Sequence, residues 1–127
     1  MNTNDEIVMP RRPECYESGA PGAGFIEFQP APGLRQGFAK FQLLHYSLEP
    51  EVGAAPDKPT ERLTLAFSTA DVVILGSRLE DISSALCDHK LGVVRPISGR
   101  YKELNPAHPW VAEILIHPLP KSGGAAG

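Results

Sequence analysis

Cysteine is scarce in this sequence: Cys15 and Cys87 are the only two among 127 residues. Two thiols cannot build a disulfide framework, so a small secreted scaffold stapled by bridges is excluded. Both read as free thiols, Cys15 in a proline-rich segment and Cys87 in a predicted helix. Long apolar runs are missing as well, and no stretch approaches the roughly eighteen residues a membrane-spanning helix needs. There is no basic excess either. Twelve Lys plus Arg face fifteen Asp plus Glu, a formal net charge of -3, whereas a duplex binder needs cations to displace the counterions of phosphate. Nucleic acid is therefore not an expected partner, and weak single-strand binding by exposed rings is kept only as a second alternative. The start, Met1-Asn2-Thr3-Asn4-Asp5-Glu6, is polar and acidic where a secretory leader would be basic and then apolar. A cytoplasmic location is the expectation.

Proline and glycine are abundant, at 13 and 12 residues. Their excess is local: residues 1–60 hold 14 of these 25 and residues 61–117 hold only 6. A hydrophobic share of 42% argues against disorder throughout. The length suits one domain. The expected organisation is an extended Pro/Gly-rich arm over 1–23, a single domain over 24–120 and a flexible tail over 121–127.

Within the domain, Phe25-Ile26-Glu27-Phe28 reads as a short strand stopped by Pro30 and Pro32, with Gly33 and Gly37 in a turn region. Residues 38–48 read as one strand whose apolar set changes face between Leu43 and Leu44. A β-bulge there restores a continuous apolar face, because one extra residue shifts the alternation by one. Residues 49–60 carry three prolines and read as a long hairpin connection. Leu63, Leu65 and Phe67 alternate with polar or small residues, and Val72-Val73-Ile74-Leu75 follows a tight turn, which predicts a hairpin.

Ser77 and Glu80 have capping-box spacing, Leu79, Ile82 and Leu86 form one apolar stripe, and Gly92 stands where a left-handed cap is usual. A helix over 78–90 is predicted. Strands over 93–97 and 111–117 complete the set, with Pro96 placed at an edge or a strand end. The expected fold class is α+β: a curved, mainly antiparallel sheet of five to six strands packed on one helix.

No catalytic constellation emerges. The four histidines, His45, His89, His108 and His117, show no metal-ligand spacing. Cys87 and His89, two apart on a helix, point in different directions and cannot close on one ion. No catalytic residue, metal or cofactor is assigned. The strongest surface candidate is the stretch 90–102, which has four basic residues and no acidic one. From it and its loop, Arg95, Arg100, Tyr101, Lys102 and Trp110 form the candidate binding set, since arginine beside an exposed aromatic is typical of recognition surfaces. The competing reading has these charges solvated and the Trp110 ring plugged into the core. His45 and His117 form a weaker pair if their strands are neighbours.

A small non-enzymatic binding or protein-interaction module is the leading expectation. A small enzyme with a His/Arg site assembled only in the fold is the alternative. The expected partner is a second copy of the chain, because one helix leaves sheet surface uncovered.

Overall fold

The computed structural model describes residues 15–19, 24–51, 58–100 and 107–119. In chain order the elements are β1 (Tyr16–Ser18), β2 (Phe25–Ala31), β3 (Leu34–Ala39), β4 (Leu43–Pro50), β5 (Glu61–Phe67), β6 (Ala70–Ser77), α1 (Glu80–Cys87), β7 (Leu91–Val94) and β8 (Trp110–Pro118). They form two four-stranded sheets, ordered β1-β7-β2-β3 and β4-β5-β6-β8. Among the described residues only the β2–β7 pairing is parallel. No helix among the described residues is long and apolar enough to cross a membrane.

The α+β class therefore holds, but the arrangement differs from a single curved sheet on a helix. The core lies between two sheets. Ile26 and Phe28 of the first sheet share one buried cluster with Leu63, Leu65, Phe67, Val72, Ile74, Val111 and Ile114 of the second. Three rings tie the layers together: Phe38 of β3 stacks on Phe67 of β5 at 4.8 Å. Phe28 meets both edge-on, at 5.8 and 6.2 Å, an arrangement aromatic quadrupoles favour. The helix closes part of this core rather than serving as its partner layer, adding Ile82 and Leu86, with Leu79 just before it.

Residues 38–48 are not one strand. A 3-10 turn, Lys40–Gln42, separates β3 from β4 and carries the chain from the first sheet to the second. The bulge is present: the β4–β5 register slips between Leu43 and His45. As a result Leu43, Tyr46 and Leu48 all stand opposite the buried Phe67, Leu65 and Leu63. The extra residue, Leu44, is left exposed.

Pro30 does not stop β2. The ladder with β3 turns irregular between Phe28 and Ala31, then closes on a turn at Pro32 and Gly33. Gly33 has a φ of +80°, the value that the third residue of a type II turn needs, after a proline at the second.

The helix is shorter than predicted and capped differently. Ser77 lies in β6, and its hydroxyl is paired with that of Thr60 at 3.0 Å. The Leu79 N–H at the helix entrance instead donates to the Glu61 carboxylate of β5 at 2.7 Å. At the far end, the Lys90 N–H donates to Ala85 O and the His89 N–H to Leu86 O. That is a Schellman ending with His89, φ +61°, in the left-handed place. Gly92 is no cap. It sits inside β7, where a Cβ would fall 2.5 Å from the Gly19 Cα, so only glycine lets β1 lie so close.

Pro96 follows the end of β7, which is an interior strand of its sheet. Tyr16–Ser18, read as part of the arm, pairs with β7; residues 1–14, 20–23 and the tail 121–127 lie outside the described residues.

Candidate functional site

Arg95 is the predicted site residue that the fold places at a concave surface. It leaves β7 just before Pro96, which holds its backbone extended, and its N–H donates to Cys15 O at 2.8 Å. The guanidinium pairs with the Glu17 carboxylate of β1. It also lines an open groove of about 440 Å³, walled by Pro30 of β2 and Pro32 of the turn after it, by Pro96 and Ile97, and by Ala112 of β8. Gln29, Ser98 and Glu113 supply its other polar groups. The groove runs where the two sheets meet, since the Ile97 N–H donates to Val111 O of β8 at 2.9 Å.

The rest of the predicted set is not gathered there. Trp110 is only 6% exposed, and its indole N–H donates to Ile97 O at 3.1 Å. The ring is a plug, which corrects its reading as an exposed recognition residue. Its size and single donor suit a position that is apolar on one side and hydrogen-bonded on the other. Arg100 is exposed, and Tyr101 and Lys102 lie outside the described residues. The two strand histidines are not neighbours. His45 and His117 are on β4 and β8, opposite edges of one sheet, joined by a cross-strand row through Ala66 and Asp71. Three strand spacings, roughly 14 Å, separate them.

A second site was not legible in the sequence. A pocket of about 140 Å³ opens between the 3-10 turn and the end of α1, lined by Ile26, Lys40, Leu43, Leu86, His89 and Leu91. Four of these are aliphatic, and the two polar ones come together because the helix ends on a left-handed His89. The Lys40 ammonium donates to the His89 carbonyl at 3.4 Å, which suits a cation beside a helix C-terminus. Between β4 and the last residue of α1, the Tyr46 hydroxyl and the exposed Cys87 thiol are 3.2 Å apart. That hydrogen bond, followed by the charge of the thiol, pushes the Tyr46 phenol above its usual range. Phe41, Leu44 and Tyr46 expose 84%, 68% and 41% of their surface, so the start of β4 carries an apolar patch. In the sequence, prolines read as punctuation and single apolar residues as core, and neither pattern announces a pocket shared by segments far apart in the chain.

The other thiol is buried. Cys15 is fully covered, donates to Pro109 O at 3.4 Å, and is pushed up to about 12, above all by burial. A thiol so held is a poor nucleophile near neutral pH. Among the described residues no group of three His, Cys, Asp or Glu is placed to hold a metal ion.

The described residues thus form an α+β fold of two packed sheets that carries a proline-walled groove and a small apolar pocket. No family model matches the chain, and neither a curated protein nor a solved structure matches it.

Proposed function

We propose that this protein is a non-enzymatic binding module that holds an extended polypeptide segment in the groove beside Arg95. The observation that carries this reading is the groove itself. At about 440 Å³ it is open, walled by Pro30, Pro32 and Pro96, and carries Arg95 and Glu113 along its length. Proline walls are already rigid, so little conformational entropy is lost when a ligand docks. A guanidinium and a carboxylate in one groove can read opposite charges on one extended chain. A reducing cytoplasm is the setting assumed, in keeping with two cysteines that stand apart as free thiols.

The test is selection of a phage-displayed random peptide library against the folded chain. Peptides should be recovered whose binding is lost when Ala112→Trp fills the groove. Binders that ignore this substitution would show that another surface is used.

Self-association is a second reading, favoured by the long strands β4 and β8 at the two edges of one sheet and by the apolar patch on β4. Exposed edges of this length are templates for pairing. Light scattering should give the mass of a dimer at micromolar concentration; a single monomeric mass removes the idea.

A further inference from the structure

We propose that the pocket beneath Lys40 is a binding site for a small organic carboxylate, with an aromatic or branched body of about six carbons inside and the acid group at the mouth. This site is separate from the peptide groove and does not depend on it. Ile26 and Leu91 of the lining are 1% and 0% exposed and Leu86 is 7% exposed, all in the main core cluster. Interiors are close-packed, with few voids larger than a water molecule. Ile26 and Leu91 thus form a closed floor, and the opening of about 140 Å³ above it presents Leu43, Leu86 and the stems of Lys40 and His89 to a ligand. Its size decides the body of the ligand, since a cavity of roughly 150 Å³ accepts one benzene ring.

The chemistry of the rim decides the head group. Among the described residues, Lys40 and His89 are the only polar ones lining the pocket, and no acidic side chain lines it. The Lys40 ammonium has three donors and one long contact, 3.4 Å, to the His89 carbonyl. A carboxylate seated at the mouth takes a charge-assisted hydrogen bond from that ammonium, while an amine of the same size meets a like charge. The aliphatic walls offer no donor or acceptor, so the acid group can only sit at the rim. Binding here needs no covalent step.

The test is an amide NMR titration of the full chain with sodium benzoate, using benzylamine as the probe of equal size and opposite charge. Benzoate should shift the amides of Ile26, Lys40, Leu86 and Leu91 saturably, and benzylamine should not. Lys40→Met, which keeps the aliphatic stem at a surface position, should weaken benzoate by about tenfold, the loss of one charged hydrogen bond. Absence of a saturable benzoate shift overturns the proposal. So does an equal response to benzoate and benzylamine, or unchanged benzoate affinity in Lys40→Met.

Discussion

Placing an alanine at Gly92 should lift β1 from the sheet and uncover the Cys15 thiol. The new Cβ would stand 2.5 Å from the Gly19 Cα and 2.6 Å from its nitrogen, both backbone atoms that no rotamer change can move. Overpacking of this kind costs about 1–3 kcal/mol. β1 is a three-residue strand whose ends are anchored by Gly19 N–H to Lys90 O at 2.7 Å and by Arg95 N–H to Cys15 O at 2.8 Å. Each such bond contributes about 1 kcal/mol net. The clash outweighs either end bond and falls beside Ser18 and Gly19, where the register with β7 is already irregular, so β1 should yield before the core does. The readout is thiol reactivity with a disulfide reagent. In the native chain the exposed Cys87 reacts quickly. Cys15 is pushed from 9.0 to about 12, so near pH 8 its thiolate fraction is about a thousandfold lower. Burial slows it further. Gly92→Ala should turn the slow thiol fast while the main unfolding transition persists. Gly24→Ala, where a Cβ meets nothing within 4 Å, should leave the slow thiol slow. A slow Cys15 in Gly92→Ala would refute the reasoning.

Glu61→Ala strips the acceptor from the Leu79 N–H and a negative charge from the helix entrance, which should cost about 1–2 kcal/mol in urea unfolding; an unchanged midpoint would return the capping role to Ser77. The raised Cys15 thiol also makes stability fall in alkali. Its folded value of about 12 exceeds the unfolded 9.0, so its contribution is complete below about pH 9 and lost towards pH 12, at about 1.4 kcal/mol per pH unit. Urea midpoints measured through that range should fall less steeply for Cys15→Ala than for the native chain, and parallel curves would deny the thiol this role.

Some of the fold could be read directly. The β5–β6 hairpin announces itself because Leu63, Leu65 and Phe67 alternate and the next strand is β-branched; both are central strands facing a core. The bulge at Leu44 was legible because a strand with one buried face cannot change its phase without an extra residue. β3 was invisible. It is an edge strand, and Leu34, Arg35, Gln36 and Gly37 are all exposed, so no alternation is imposed on them. The charge of the Arg95 stretch is legible in the sequence, but of the two readings open for Trp110 the structure takes the plug, with its indole N–H on Ile97 O.

Composition and periodicity alone settled the α+β class, the apolar face of α1 and the absence of any stretch suited to a spanning helix, since each depends on residues close in the chain. That the strands divide into two sheets was decided only in three dimensions, by a 3-10 turn too short to carry a pattern. The helix cap came from Glu61, 18 residues upstream of the N–H it accepts, and no local motif can encode such a partner. The groove and the pocket have the same origin. Pro30 and Pro96 wall one groove, and Ile26 and Leu86 line one pocket, because the tertiary fold gathers distant segments, and hydrophobic burial rewards that arrangement without regard to separation along the chain.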